Sequence, residues 1–585
     1  MTMPQRWSVR DAPPEEVEAL ASSCSIQPLV AHCLVARGVK TPDEAEALLH
    51  APLEALHDPF DMRDMDRAVE RLCRAIKDGE RIAVYGDYDV DGMTATALLV
   101  TFLRECGVEP SYRLSNRFSE GYGMHTTAID EMVEEGASLI VTIDMGIGNF
   151  NEVAYAAERG ADTIVTDHHE PPPTLPPAVA VLNPNRTDCP YPYKGLAGVG
   201  VAFKLVTALR SALHKEGFFG TTPPNLKRHV DLFALGTVAD VVPLTGENHL
   251  LVKHGLDELS ATRKAGLHAL KQVAGLKGKR VTAGHVGYVL GPRLNAVGRL
   301  GDAALGVELL LAQKQDAALK LARRLEQENR RRQSLQQTVF EEARILVEEG
   351  GPLPPALVLA SEAWHQGVIG IVASKLAELY WRPTILISVD GDVGKGSGRS
   401  IPRFNLYEAL SRCSGLLEEF GGHRAAAGCT IASEGIEAFR EAFSQTVASM
   451  IEPDALEPEL LLDAEVPLDI WTTDLIRSLD GLEPFGSGNP SPSFATRDVT
   501  IHGEPRWVGK DRTHLKMGVS DGSAQMDVIG FGASGRLPEI DLRPGTRIDL
   551  AYEAQINQWN DRETVQLKLV SLRPSEKTGR AESPS

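Results

Sequence analysis

At 585 residues the chain is too long for one hydrophobic core, and ordinary domain size suggests about three or four domains. A hydrophobic content of 43% and a charged content of 24% exclude a globally disordered or fibrous chain. The formal net charge of -20 argues against a polyanionic ligand, but exposed charges are screened beyond about 8 Å at physiological salt, so a concentrated basic groove can still bind phosphates.

Seven cysteines, at 24, 33, 73, 106, 189, 413 and 429, include no C-x-x-C pair and no even spacing. That excludes a zinc ribbon and a disulfide scaffold and predicts free thiols in a reducing compartment. The N-terminus runs past Pro13, Pro14 and Glu15 without an apolar segment, unlike a signal peptide, and no apolar run reaches the length of a membrane span. A cytoplasmic, soluble protein with no membrane partner is expected.

Residues 1–50 read as helical, with Thr41, Pro42 and Glu44 marking a helix start whose role is packing. From about 80 to 185, strand and helix signals alternate. Apolar runs at 82–85, 138–143, 163–165 and 178–182 are separated by helical patterns at 93–106, 126–135 and 151–159, which predicts an α/β fold with a doubly wound parallel sheet. Ligands of such sheets bind beyond the carboxyl ends of the strands. Three of the runs end in candidate ligands there: Asp87, Asp89 and Asp91 after the first, Asp144 after the second, and Asp167-His168-His169 after the third.

Two carboxylates about 4 Å apart repel by roughly 4 kcal/mol at an effective dielectric near 20, so such a cluster calls for cations. Taken alone, the 84–92 stretch reads equally as a capped turn that starts a helix. A fourth apolar stretch, 232–240, also ends in an aspartate, Asp240, which beside the other three sites reads better as a ligand than as a cap.

Asp87-Tyr-Asp-Val-Asp-Gly92, Asp144-Met-Gly146, Asp167-His-His169 and Gly236-Thr-Val-Ala-Asp240 together resemble the four ordered motifs of the DHH phosphoesterase superfamily. Size and later motifs make the chain most similar to its RecJ-type exonucleases from about residue 50 to 575. That resemblance implies degradation of single-stranded DNA from the 5′ end to mononucleotides, in DNA repair and recombination. It also implies a two-metal site with Asp89, Asp91, Asp144, His168 and Asp240 as ligands. Asp87 and His169 stand at motif positions as an additional ligand or a close partner of one. Carboxylates with imidazole suit Mn²⁺ or Mg²⁺, the histidine favouring Mn²⁺. Two such ions would serve an in-line displacement at phosphorus.

The connection 113–123 carries Arg117, suited to a phosphate, and Tyr122, suited to stacking on a base. By spacing alone it is an ordinary loop, and the resemblance moves it toward the DNA end. Residues 291–301 read as another Gly-rich turn, with Arg293 and Arg299 as candidate phosphate ligands. A long helical stretch follows at 311–350, with Lys314, Lys320, Arg323, Arg324 and Arg330–Arg332 on a basic face that is ordinarily solvated. Strand and helix signals resume at about 353. Residues 395–400 read as a polar turn with amides open to a phosphate, and 421–428 resembles the glycine-histidine signature of the accessory domain paired with DHH domains. By that match Ser397, Arg399 and His423 are substrate contacts, although His423 alone reads as a packed corner histidine.

Residues 482–492 look like a linker. Five strand-like segments between 499 and 572 then predict a small all-β barrel, an OB-fold by resemblance, with Trp507, Lys510, Arg512, Lys516 and Trp559 as a strand-binding platform. The expected domains are 1–50 (N-terminal helical segment), 51–310 (DHH catalytic domain), 311–350 (connecting helix), 351–455 (DHHA1-type accessory domain), 456–573 (OB-fold) and 574–585 (disordered tail). Single-stranded DNA is the expected partner, with a single-strand-binding protein and a helicase alongside, and a chain that threads one strand needs no second copy, so a monomer is expected. Two rivals stand beside this reading. One is a DHH phosphoesterase of short oligoribonucleotides, cyclic dinucleotides or pyrophosphate, against which the C-terminal barrel speaks. The other is a non-catalytic scaffold, against which the complete ligand set speaks.

Overall fold

The computed structural model describes residues 5–116, 121, 123–534, 537, 540–559 and 562–575. The chain folds into two compact units, one from Glu46–Arg332 with Leu482–Pro490, the other from residues up to Ala45, Gln333–Gly481 and the chain from Ser491 on. The N-terminal segment is helical at Pro14–Cys24, Pro28–Val35 and Pro42–His50, and it also carries an unanticipated strand, β1 (Arg6–Val9). Thr41 and Glu44 cap the third helix reciprocally, with Thr41 N to Glu44 Oε2 at 3.1 Å and Glu44 N to Thr41 Oγ1 at 3.2 Å.

In the unit around residues 46–332, β2 (Ile82–Gly86), β3 (Ser111–Leu114), β4 (Leu139–Ile143), β5 (Asp162–Thr166) and β6 (Ala180–Leu182) form one all-parallel sheet in the order β3-β2-β4-β5-β6. β2 and β4 are buried along their whole length, which is why they read as unbroken apolar runs. The first strand lies inside the sheet, so the winding reverses between β2 and β4, and the crevice of such a sheet opens beyond those two carboxyl ends. β3, which holds Arg113, escaped the sequence pattern because a four-residue, half-exposed edge strand offers no apolar run. Helices Val90–Glu105, Gly198–Lys215 and Val230–Ala239 pack together with the sheet in one core.

Several segments differ from expectation. Residues 291–300 are a helix, not a turn. Gly298 is needed for approach rather than bending: a Cβ there would lie 2.4 Å from the Tyr88 carbonyl oxygen. The long helix starts at Gln315 rather than 311, after Ala312 leaves the helical region, and runs to Glu349. Residues 482–490 are no loose linker. Leu244 N donates to Ser487 O at 2.7 Å, and buried Asn489 donates to the carbonyls of Leu482 and Pro484, both at 2.9 Å.

In the other unit, β7 (Leu357–Ser361), β8 (Thr384–Asp390), β9 (Val393–Arg399), β10 (Glu419–Gly422) and β11 (Ala426–Ala432) form a mixed sheet in the order β10-β11-β9-β8-β7. Residues 395–399 are thus a central strand and not a phosphate-binding turn, because their amides face strands on both sides. The glycines make room for those neighbours, a Cβ at Gly396 meeting Cys429 Sγ at 2.4 Å. β12 (Glu459–Leu462) takes β1 as a parallel partner. β13 (Ala464–Glu465), β14 (Phe494–Val508), β15 (His514–Ser520), β16 (Gln525–Gly530), β17 (Arg547–Trp559) and β18 (Arg562–Pro574) form a sheet that the β14–β17 pairing closes into a barrel. No helix among the described residues is long and apolar enough to cross a membrane.

Candidate metal centre

The end of β2 holds the first carboxylates. Asp89 is the N-cap of the helix Val90–Glu105, its Oδ1 accepting from Asp91 N at 2.9 Å and Gly92 N at 3.1 Å. The capped turn and the ligand cluster are therefore one structure. Cap hydrogen bonds fix the Asp89 carboxylate, and the tight turn they close needs Gly92, where a Cβ would lie 2.4 Å from the Asp87 carbonyl. Asp91, fully buried in the first helical turn, accepts from Gly198 N at 2.6 Å and Val199 N at 2.8 Å, the amides that open the helix Gly198–Lys215. Asp87 accepts from Ser115 Oγ at 2.8 Å.

Asp144 follows β4 with φ +60, a left-handed conformation unusual for a non-glycine residue and found where a structure overdetermines a functional position. Gly198 faces it so closely that a Cβ would stand 2.6 Å from Asp144. After β5, Asp167 acts as a clamp: its Oδ1 accepts from the amides of His168 (2.8 Å) and His169 (3.0 Å) and meets His169 Nδ1 at 2.7 Å, while Oδ2 accepts from Ile147 N at 2.9 Å. Asn185 and Asn183 hold the carbonyls of His168 and His169 at 2.5 and 2.8 Å. Asp240 comes from the end of a helix, Val230–Ala239, and not from a strand.

These elements converge. His168 Nε2 lies 3.1 Å from Asp144 Oδ1, 3.6 Å from Asp240 Oδ2 and 3.9 Å from Asp91 Oδ2. Ligand atoms within 4.8 Å of one another form three triads: Asp91–His168–Asp240, Asp87–Asp89–Asp144 and Asp144–His168–His169. The first two share no residue, so the donor set divides into two triads and fits a pair of hard or borderline divalent cations.

Electrostatics supports that fit. Burial, then the Asp89 charge, pushes the Asp87 and Asp91 carboxyls up to about 7. Burial and then Asp91 raise Asp144 and Asp240 well above the usual range. Burial and the neighbouring His169 push His168 down to about 4, leaving a neutral imidazole with a lone pair to offer. His169 is the opposite: burial alone would lower it, but its hydrogen bond to Asp167 raises it instead. His168 Nε2 and Asp240 Oδ2 are shut off from solvent and make no hydrogen bond.

Around the cluster the expectations fare unevenly. Arg117 and Tyr122 lie outside the described residues. Arg293 is engaged, its Nε 2.7 Å from Glu326 Oε2 and its Nη1 donating to Val289 O at 2.5 Å, and Arg299 sits in the last turn of the same helix. Ser397 and Arg399 belong to the other unit, on β9. Arg399 Nη1 donates to Ser397 Oγ at 3.3 Å, and both pack at Gly370 near the start of the helix Gln366–Tyr380. His423 is exposed at the β10–β11 hairpin, not a packed corner histidine. On the barrel, Trp507, Lys510, Arg512 and Lys516 are exposed. Asp167, named with the two histidines as a candidate ligand, is the clamp that holds them, and the other supports of the ligands carried no sequence signal: Ser115, the amides of Gly198 and Val199, and Asn295, whose Oδ1 accepts from Val90 N at 3.2 Å.

Known proteins match this architecture along its length. The DHH family N-terminal domain matches residues 81–237, the DHHA1 domain 354–449 and the RecJ OB domain 462–571. The single-stranded-DNA-specific exonuclease RecJ of Bacillus subtilis (strain 168) is 38% identical over 98% of this chain and 71% of its own length. The crystal structure of RecJ from Thermus thermophilus in complex with Mn²⁺ superposes with a TM-score of 0.83 at 32% identity, over 98% of this chain and 80% of that one. Its complex with Mg²⁺ gives 0.77 at 30% identity, over 98% and 79%. With identity sustained from end to end, all three domains in order and a ligand cluster at the sheet's switch point, the chain belongs to the RecJ family of single-stranded-DNA-specific exonucleases.

Proposed function

We propose that this chain is a metal-dependent exonuclease that hydrolyses single-stranded DNA from its 5′ end to mononucleotides, in DNA repair and recombination. In this reading Asp87, Asp89, Asp91, Asp144, His168 and Asp240 hold two Mn²⁺ or Mg²⁺ ions. The observation that supports it most is the division of the donors into two triads with no residue in common. When bound, such a pair lowers the pKa of water to yield a nucleophile and neutralises charge on the phosphodiester during in-line displacement.

The protein's own residues do the rest. Asp91, fixed by two helix-start amides, and Asp89, fixed by the cap it makes, keep their oxygens in place before any ligand arrives. His168 presents a neutral nitrogen. His169, whose hydrogen bond to Asp167 raises its affinity for a proton, serves as a hydrogen-bond donor to a phosphate oxygen. Ser397, Arg399 and His423 bind the substrate, with Arg117 and Arg299 as phosphate contacts and Tyr122 as a stacking partner. Arg293, paired with Glu326, serves by holding its helix. The enzyme works as a cytoplasmic monomer on strands that a helicase exposes and a single-strand-binding protein presents.

The test is a time course with Mn²⁺ on single-stranded DNA labelled at its 5′ or 3′ end, beside the matched duplex and pyrophosphate. The 5′ label appears at once as mononucleotide, 3′-labelled strands shorten gradually and the duplex persists. Turnover of pyrophosphate or very short oligomers alone would keep the metal site and overturn the substrate.

A further inference from the structure

Two apolar side chains are left in water, one next to Asp240 in the chain and one on a turn packed against the helix that leads to it. Tyr288 is 88% exposed and Val241, the residue after Asp240, 67%. Single exposed apolar residues are common, but these two stand on unusual backbone. Val241 has φ +65, which for a β-branched residue is a genuine outlier. Tyr288 sits in a single turn of π-helix, Val286–Leu290, a form that concentrates at functional sites.

The turn is built to stay put. Val286 and Leu290 bury its other face. Arg293 donates to the Val289 carbonyl and is itself tied to Glu326. The turn abuts the Asp240 helix, Gly291 lying so near Ala239 that a Cβ would stand 3.4 Å from the Ala239 methyl. The helix that follows runs along the carboxylate loop, through Asn295 to Val90 and Gly298 to Tyr88. One continuous element thus carries Tyr288 and walls the metal centre.

Resting on the exonuclease reading, we propose that Tyr288, with Val241 beside Asp240, is a ledge on which a base of the single strand stacks next to the scissile phosphate. A base hangs one sugar away from its phosphate, so a strand whose phosphate lies on the aspartates must set a neighbouring base against whatever flanks them. An aromatic ring held on a rigid turn accepts any base face, in keeping with a nuclease that must accept every sequence. Tyr288 is then a positioning residue.

Tyr288→Ala should lower kcat/KM on single-stranded DNA by about tenfold, the order that one base–aromatic stack is worth, mostly through KM. Tyr288→Phe should restore it. On a strand with abasic tetrahydrofuran units in place of its first nucleosides, wild type and Tyr288→Ala should be equal. Melting temperature should not move, because the ring is exposed. An alanine variant that matches wild type on normal DNA, or loses as much on the abasic strand, overturns the ledge. A wild type that leaves unmodified DNA intact overturns the exonuclease reading first, and the ledge with it.

Discussion

Lys204 and Glu247 bury one positive and one negative charge side by side, each about 2% exposed, whereas Asp87, Asp91 and Asp144 in the same unit bury like charges together. The first group closes on itself. Lys204 Nζ lies 2.6 Å from Glu247 Oε1 and donates to His57 O at 3.0 Å; Glu247 also accepts from His57 N at 2.8 Å and from the Tyr191 hydroxyl at 2.5 Å. The second group is held by caps and helix-start amides that fix its geometry without neutralising it, and burial leaves its acids with raised affinity for protons. A buried charge that completes its own partners builds the fold, whereas one that stays short of positive charge is arranged for something that arrives later.

The widest break in that comparison comes from Asp144→Asn, which keeps size and hydrogen-bonding capacity but removes a charge shared by two of the triads. Turnover on single-stranded DNA with Mn²⁺ should fall by at least about a thousandfold, the order of several kcal/mol of transition-state stabilisation. The melting temperature of the metal-free protein should hold or rise. Retention of wild-type turnover would remove Asp144 from the centre.

Lys204→Met tests the other side. It strands the Glu247 carboxylate in the core and should cost about 3–5 kcal/mol in denaturant unfolding, while activity per folded molecule stays the same. Adding Glu247→Leu should recover most of the loss. If Lys204→Met instead kept stability and lost activity, the pair would belong to the site.

The same contrast explains what the sequence made legible. Buried parallel strands ending in acids stand out because a run such as 139–143 has no polar interruption before Asp144. The fold class follows from that pattern, and every candidate ligand in the three triads stands at a position that the pattern or the family resemblance of the motifs singles out. Segments rich in glycine misled, since glycine signals either a bend or a close neighbour and sequence does not separate the two. Gly396 and Gly398 admit sheet neighbours, and Gly298 admits the Tyr88 carbonyl, so a strand and a helix were read as turns. The residues that hold ligands were hidden for a related reason. Ser115 and Gly198 lie 28 and 107 residues from the carboxylates they bind, a distance that only the folded sheet closes.

Proton affinity provides the smallest and most discriminating test. The Asp87 and Asp91 carboxyls, raised from 3.8 to about 7, favour the protonated form in the folded protein. Their contribution to stability is complete below about pH 4 and is lost as pH rises through 7. Cations require the opposite, deprotonated form, so metal should rescue the protein where protons no longer do. The gap in melting temperature between Mn²⁺-loaded and metal-free protein should therefore be small at pH 5 and wide at pH 8, where saturation at a hundred times Kd is worth about 2.7 kcal/mol. Asp87→Asn, whose amide oxygen can still accept from Ser115, should flatten the metal-free pH dependence. Lys204→Met should lower both curves together without changing the gap. A gap that stayed constant from pH 5 to 8 would mean that the aspartates carry no surplus charge, and the distinction between the two buried groups would fall.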